Sequence, residues 1–234
     1  MATPLVSVVI PAYNEAQTIG EIVGRVRAAP LPFPCEIVVV DDASHDQTVA
    51  IVEKLMAEAR GDLRLVRHPT NRGKGAALRA GLAEARGDIV IIQDADLEYD
   101  PRDYPALLEP ILEGNADVVF GNRFHGGPHR VLYFGHYLAN KGLTFITNVM
   151  TGLNLSDMEV GYKVLRADVI RRLSLTAERF GIEPELTIKV ARLGVRVYEV
   201  PIRYHGRTYA EGKKITWRDG VAALYHIIRY RFFP

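Results

Sequence analysis

The feature that most constrains this chain is a unit repeated along its first half: a short aliphatic run, a polar turn, then a stretch with helical spacing. Residues 5–10 (Leu-Val-Ser-Val-Val-Ile) read as a buried strand that stops at Pro11-Ala12-Tyr13-Asn14. Ile19, Ile22, Val23 and Val26 then recur on one helical face. Glu36 to Val40, the turn Asp41-Asp42-Ala43-Ser44 and a helix burying Val49, Ile51, Val52, Leu55 and Met56 repeat the pattern. A third strand near Leu63 to Arg67 leads through Asn71-Arg72-Gly73-Lys74-Gly75 into an Ala-rich helix, Ala76 to Ala85. Ile89-Val90-Ile91-Ile92 reads as a strand covered on both faces, and Val118-Val119-Phe120 supplies one more. Strands alternating with helices predict an α/β fold: a Rossmann-like, mainly parallel sheet flanked by helices.

After Gly126-Gly127-Pro128 the texture changes. Val131 to Leu153 is rich in aromatic and aliphatic residues but broken by Gly135, His136, Asn140, Lys141 and Gly142, which predicts an amphipathic helix. A short strand from Glu159 onward, helices over Ala167 to Leu173 and Pro184 to Leu193, and a strand over Arg196 to Val200 complete or flank the sheet. Trp217 to Phe233 reads as a second amphipathic helix. No internal repeat beyond the βα alternation appears, and 234 residues fit one domain.

Charge and cysteine usage narrow the function classes. Lys and Arg total 29 against 28 for Asp and Glu, so overall charge gives no argument for nucleic acid, and any anion site must be built locally. The lone Cys35 excludes an intramolecular disulfide and a cysteine-cluster zinc site, as in a reducing compartment. Met1-Ala2-Thr3-Pro4 lacks the basic segment and apolar stretch of a secretory signal, and no run of about 18 apolar residues supports a membrane-spanning helix.

In a parallel sheet the polar turns gather along one edge, where open α/β sheets bind ligands. The turns bring Tyr13, Asn14 and Glu15; Asp41 and Asp42; Arg72, Gly73, Lys74 and Gly75; and Asp94, Asp96 and Glu98. Clustered acids repel unless a cation, hydrogen bonds or water offsets the charge, so the last set reads either as a divalent-cation site or as a solvated acidic turn. Together such an edge can address a nucleotide: carboxylates accept from base imino groups and ribose hydroxyls, an aromatic ring stacks, and a cation with a lysine neutralises phosphates. The Gly-Lys-Gly turn matches neither a Walker loop nor the dinucleotide fingerprint.

Val9-Ile10-Pro11-Ala12-Tyr13-Asn14-Glu15, Val39-Val40-Asp41-Asp42-Ala43-Ser44, Asn71-Arg72-Gly73-Lys74-Gly75 and Asp94-Ala95-Asp96, in this order, resemble a family 2 glycosyltransferase. Gln93 to Pro101 followed by Gly121-Asn122-Arg123-Phe124 is similar, more narrowly, to the branch that transfers mannose or glucose to polyprenyl (dolichyl) phosphate. The resemblance implies a GT-A fold, a nucleoside diphosphate sugar of the GDP-mannose or UDP-glucose type, Mg²⁺ or Mn²⁺, and inversion at the anomeric carbon. It divides the single domain 1–234 into a nucleotide-sugar part (1–125) and an acceptor-side part (126–234).

Carried onto this sequence, the resemblance gives Pro11, Tyr13, Glu15, Asp42 and its neighbour Asp41 to the nucleoside, Lys74 to the ribose or base, and Asp94 to the donor. Asp96 is the implied principal metal ligand, joined by Asp94 and by Glu98, which stands where mannosyltransferase relatives have Gln. Arg123 falls near the acceptor phosphate with Arg130 as a second clamp, and a guanidinium fork fits phosphate bidentately. Arg203, His205, Arg207 and Lys213-Lys214 resemble the loop that closes over the donor diphosphate. Asp157 and Glu159 resemble the acceptor-side acidic segment, with Asp157 a catalytic candidate beside Asp96 and Arg123. A phosphate acceptor is already a nucleophile at neutral pH, whereas a sugar hydroxyl must lose a proton. Glu183 and Glu185 read as helix-start carboxylates.

The expected partner is therefore polyprenyl phosphate, reached by a cytoplasmic protein held peripherally on the inner membrane face through its two amphipathic stretches. Those stretches could instead pack on the sheet or pair two copies in a homodimer. Many lipid-phosphate relatives append transmembrane helices that are absent here, which weighs against a lipid acceptor. A saccharide hydroxyl acceptor, a nucleotidyltransferase and a non-catalytic nucleotide-sugar-binding subunit are the alternatives.

Overall fold

The computed structural model describes the chain apart from residues 1, 2, 59, 60, 127, 132, 180, 209, 210, 212–216 and 234, and apart from the side chains of residues 217–219. Gly127, Lys213, Lys214, the Met1-Ala2 pair and the Trp217 side chain, all read above, lie outside the described residues.

Among the described residues one seven-stranded sheet holds β1 (Val6–Ala12), β2 (Cys35–Asp41), β3 (Leu63–Arg67), β4 (Ile89–Ile92), β5 (Val118–Asn122), β6 (Lys163–Arg166) and β7 (Val197–Pro201), in the order β3-β2-β1-β4-β6-β5-β7. β1 lies between β2 and β4, with Val8 opposite Ile37 on one side and Ile91 on the other. These pairings, β2 with β3, and β5 with β7 are parallel, while β6 runs antiparallel to both its neighbours. The mainly parallel sheet expected from the alternation is thus present. Its one reversed strand has a topological cause: after β5 the chain stays at the carboxyl edge through α5 (Phe134–Thr151), so it must re-enter the sheet from that edge. Residues 157–162, just ahead of β6, are thereby delivered to the same edge as the acidic end of β4.

The aliphatic runs are buried as expected. Val8, Val9, Ile10, Val38, Val39, Ile91 and Val119 are inaccessible, each stabilising the fold by roughly 1.5–3 kcal/mol relative to exposure. The helix α1 (Ile19–Arg27) buries Ile19, Ile22, Val23 and Val26, the four residues its spacing picked out. In α2 (Thr48–Ala57) Val52 is buried and Val49, Ile51 and Leu55 partly so, but Met56 is exposed, because this helix covers the outer flank of the sheet near the edge strand β3. The Ala-rich α3 (Lys74–Glu84) lies close against the sheet: a Cβ on Gly81 would collide with Val9 of β1.

One helix escaped the sequence reading, α4 (Tyr104–Leu112), which follows β4 in the chain and buries Tyr104, Leu107, Leu108 and Ile111, packing on β5, β6 and β7. Its start is marked by Asp100, whose carboxylate accepts from the Arg102 N–H ahead of the 3₁₀ turn Pro101–Asp103. Farther on, α6 is a single turn (Ala167–Ile170), shorter than expected, and α7 (Ile182–Leu193) begins two residues earlier than expected. The last helix, α8 (Trp217–Phe232), packs on α7 and α5, burying Ala223, Ile227 and Tyr230.

Candidate active site

A cleft of about 1800 Å³ follows the carboxyl edge of the sheet. Its floor is made by the polar turns after β1, β2 and β4, the start of α3 and the segment before β6, and its mouth by α5 and α8. The three non-glycine residues with left-handed backbone among those described, Asn14, Ala43 and Leu97, all sit in these turns. Such conformations cost of order 1–3 kcal/mol each and persist only where their surroundings fix them. Here the turns hold one another: Ser44 Oγ accepts from the Asn14 N–H at 2.9 Å, Asn14 Oδ1 from the His45 N–H at 2.9 Å, and Thr48 Oγ1 from the Glu15 N–H at 2.9 Å.

Pro11, Tyr13, Glu15 and Asp42 line this end of the cleft. Asp42 Oδ1 meets His68 Nδ1 at 2.7 Å and accepts from the Arg72 N–H at 2.9 Å, while Oδ2 accepts from the Gly73 N–H at 2.6 Å. A carboxylate offers about four acceptor positions, so one on Oδ2 is left for a ligand. Asp41 does not line the cleft; it is buried and its carboxylate accepts from the Ser44 N–H, so its part is to shape the turn.

Lys74 opens α3 and reaches Asp94 Oδ1 at 2.7 Å and Glu183 Oε1 at 2.9 Å. Burial disfavours its charge, but the two carboxylates outweigh burial and hold its pKa well above the ordinary lysine value. Glu183 is a site residue that the sequence reading missed. Glu185, two positions on, lies in the first turn of α7, but it is buried, accepts from Thr176 N, Thr176 Oγ1 and Ala177 N, each at 2.7 Å, and pairs with Lys189 at 2.6 Å, so it fastens the 176–177 segment to the helix. Two residues apart on a helix face different ways, and that offset was the available signal. Gly161 lies against Asp94 so closely that a Cβ there would overlap the carboxylate.

The acidic end of β4 differs from the expected three-ligand metal set. Among the described residues no three His, Cys, Asp or Glu groups gather to hold a metal. Asp94 faces Lys74; Arg207 Nη2 reaches Asp96 Oδ2 at 2.6 Å and Arg207 Nε reaches Glu98 Oε1 at 3.0 Å. Glu98 also accepts from Tyr204 Oη at 3.0 Å and the Arg207 N–H at 3.1 Å, so three of its roughly four acceptor positions fasten the loop at 204–207. Asp96 is the carboxylate that fits a cation. Burial, then Asp94 and Glu98, push its pKa up to about 7 against the opposing Arg207 charge, a surplus of negative charge that a divalent ion would relieve.

Among the described residues of the expected diphosphate loop, only Arg207 lines the cleft. Arg203 instead pairs with Asp103 at the 3₁₀ turn, through its backbone N–H at 2.7 Å and through its guanidinium, and the His205 side chain is exposed. The segment is irregular, so residues two apart need not share a face: Asp103 draws Arg203 to the 3₁₀ turn, while Asp96 and Glu98 hold Arg207 at the cleft. Arg130 lines the cleft but is tied to the same loop, donating to Glu211 at 2.7 Å and Gly206 O at 3.3 Å.

Arg123, at the end of β5, donates to both oxygens of Asp157, Nε at 2.6 Å and Nη2 at 2.7 Å, with the rings of Phe124 and Tyr204 beneath its guanidinium at 5.4 and 5.2 Å. Asp157 is fully buried and does not line the cleft, which corrects its expected catalytic place: it positions Arg123. Glu199 of β7, absent from the sequence reading, holds the Ser156 and Asp157 N–H groups at 2.8 and 3.1 Å. Glu159 does line the cleft.

Residues 7–174 match glycosyl transferase family 2. The chain is similar to the undecaprenyl-phosphate mannosyltransferase of Micrococcus luteus, 34% identical over 212 residues, covering 88% of this chain and 85% of the relative. It is 30% identical to the dodecaprenyl-phosphate galacturonate synthase of Rhizobium johnstonii over 88% of this chain, and 32% identical to the dolichol-phosphate mannosyltransferase of Pyrococcus furiosus over 90%. This chain spans only 61% and 60% of the length of those two relatives. Among solved structures, glucosyl-3-phosphoglycerate synthase from Mycobacterium tuberculosis in complex with Mn²⁺, UDP and glucosyl-3-phosphoglycerate superposes with a TM-score of 0.75 at 22% identity. That match covers 99% of this chain and 81% of the other.

Proposed function

Because this chain belongs to glycosyl transferase family 2 and has the GT-A fold, we propose that it moves a hexose from a nucleoside diphosphate sugar to polyprenyl phosphate. On this reading residues 1–234 act as one domain, with the nucleoside held by the part before residue 126 and the acceptor by the part after it together with Arg123. The observation that carries the proposal is the continuity of one cleft from a charged floor to an apolar mouth. A nucleoside diphosphate suits the floor, through the open position on Asp42, the ring of Tyr13 and the Lys74 ammonium. A lipid tail suits the mouth, where Phe134, Leu143 and Ile146 of α5 face Val221 and Leu224 of α8. Arg123, held at two points by Asp157, would meet the lipid's phosphate where floor and mouth join.

The acceptor phosphate is largely ionised at neutral pH, its second pKa being about 6, so attack needs no side-chain base. One phosphate oxygen forms a bond to the anomeric carbon from the face opposite the diphosphate, the carbon–diphosphate bond breaks, and the configuration inverts. Nucleoside diphosphate leaves carrying the electron pair. Mg²⁺ or Mn²⁺, held by Asp96 together with diphosphate oxygens, would supply charge neutralisation for the leaving group, in keeping with the habit of Mg²⁺ of using one or two carboxylates plus phosphates. Structures of the mycobacterial synthase in complex with Mn²⁺ and UDP, or with Mg²⁺ and UDP, support this choice of partners. Arg207 lies beside Asp96 and can pass its guanidinium from carboxylate to diphosphate.

Among the described residues no helix is long and apolar enough to cross a membrane. The reading therefore places α5 and α8 peripherally, on the inner face of the membrane. Phe134, Leu138, Phe145 and Val149 of α5 are each at least 60% exposed, and α8 sets the exposed Tyr225 and Phe232 beside Arg229 and Arg231. Co-sedimentation with anionic liposomes supports that placement, whereas self-association in solution without vesicle binding assigns the same faces to a homodimer. For the reaction, membranes are incubated with protein and radiolabelled GDP-mannose or UDP-glucose. Label in an organic-extractable, acid-labile lipid with release of nucleoside diphosphate is expected; label in a soluble glycan, or release of pyrophosphate, rejects the proposal.

A further inference from the structure

Between the donor-side trio of Lys74, Asp94 and Glu183 and the acceptor-side pair of Arg123 and Asp157 stands a carboxyl that the proposed reaction leaves without a task. Glu159 lines the cleft, and its Oε1 is buried with no hydrogen-bond partner. The charges that act on it are those of Glu183, Lys163, Arg123 and Asp157. Lys163 gives its ammonium to the carbonyl oxygens of Met158 and Val160 and leaves Oε1 unmet. A buried acceptor left unpaired costs about 1–3 kcal/mol, a penalty that a ligand group seated there would remove.

The neighbours restrict what that group can be. Glu183 and Asp157 repel a further anion, which excludes both the diphosphate and the acceptor phosphate from this spot. The cations that act on it are engaged, Lys163 with the Met158 and Val160 carbonyls and Arg123 with Asp157 at 2.6 Å. A neutral hydroxyl, which donates and accepts at once, fits. In the transfer reaction the hexose must occupy the interval between the diphosphate and the acceptor phosphate, and Glu159 lines the cleft midway along the segment from Asp157, which holds Arg123, to Gly161, which lies against Asp94. We propose that Glu159 Oε1 receives a hydroxyl of the transferred hexose, making this residue a determinant of donor-sugar specificity. This rests on the nucleotide-sugar reading above. Burial, followed by Glu183, pushes the Glu159 carboxyl up to about 7, so near neutrality it can present either a donor or an acceptor to that hydroxyl.

Calorimetric titration with UDP, GDP, UDP-glucose, UDP-galactose and GDP-mannose in the presence of Mn²⁺ tests the proposal on the wild type, Glu159→Ala and Glu159→Gln. Glu159→Ala should keep the affinity for the free nucleoside diphosphate within about twofold, which also reports a folded cleft. It should weaken the matching nucleotide sugar by roughly 10- to 100-fold and narrow the preference between epimeric sugars. Should Glu159→Ala fail to fold, Glu159→Gln keeps the shape and carries the same comparison, with a sugar-specific loss of about tenfold expected. Nucleotide and nucleotide sugar weakening together, or neither changing, overturns the proposal while leaving the nucleotide-sugar reading in place. A wild type that binds none of the five removes that reading, and this inference with it.

Discussion

Arg123 and Asp157 form a two-point pair across 34 residues, with bonds of 2.6 and 2.7 Å and a third from the Arg123 N–H to the same carboxylate at 3.2 Å. Neither partner can be removed alone without leaving a buried charge uncompensated. Asp157→Ala is expected to lower stability by about 3–5 kcal/mol, measured by urea unfolding, and Arg123→Lys to lose transfer activity because an ammonium cannot make the fork. A marginal change in the unfolding midpoint of Asp157→Ala would show that the pair is not the anchor described.

Asp96→Asn removes a carboxylate whose oxygens meet a backbone N–H and Arg207 and no core side chain. Turnover should fall by orders of magnitude, with the melting temperature held or raised, since a crowded negative charge disappears. EDTA should abolish wild-type turnover and added Mn²⁺ restore it. Undiminished activity of Asp96→Asn would rule out the role assigned to this residue.

Gly161 is needed for want of a side chain. Gly161→Ala would drive a methyl into Asp94 and the Tyr99 ring, costing about 1–3 kcal/mol by overpacking and turning Asp94 away from Lys74. Weaker nucleotide-sugar binding in a folded variant is expected by calorimetry; unaltered binding would mean that the Asp94–Lys74 contact is dispensable.

The buried acids set a pH dependence of stability. Glu159, pushed from 4.5 to about 7 by burial and then Glu183, keeps its proton in the native state where the unfolded chain has released it. The native state then binds more protons, so stability falls as pH rises through this window and levels off above it. Asp96, raised to about 7 by burial and then by Asp94 and Glu98, acts in the same direction. Melting of Glu159→Gln against the wild type from pH 4 to 8 should open a gap in the variant's favour that grows up to about pH 7. A gap that shrinks with rising pH would mean that the carboxyl is ionised throughout.

The parallel half of the fold was legible because its strands carry aliphatic runs that end in polar breaks, as at Val9-Ile10 before Pro11 and Val39-Val40 before Asp41. The cleft followed from the same pattern, since Tyr13, Asp42, Lys74 and Asp94 are all strand-end or helix-start residues brought to one edge. Less legible were residues whose partners are remote in sequence. Glu183 lies 109 positions from Lys74, and Arg203 and Arg207 are sorted apart only by Asp103 and Asp96, about 100 positions away. Nothing local distinguishes a lysine-bound glutamate from a helix-start one, or an arginine facing a cleft from one facing a turn. The α4 helix was overlooked because Pro110 interrupts its pattern, although the spacing of Tyr104, Leu107, Leu108 and Ile111 was there to be read.

The reversed β6 also dictates an order of assembly. It fills the slot between β4 and β5, two strands made long before it on the ribosome, and neither has another partner on that side. Until residue 166 has emerged, the nascent sheet carries two facing rows of unsatisfied backbone groups around a core that includes Ile91 and Val119. A polypeptide released at residue 125 would expose that gap permanently and should aggregate, so the strand that delivers Glu159 to the cleft is also the last closure on which a soluble product depends.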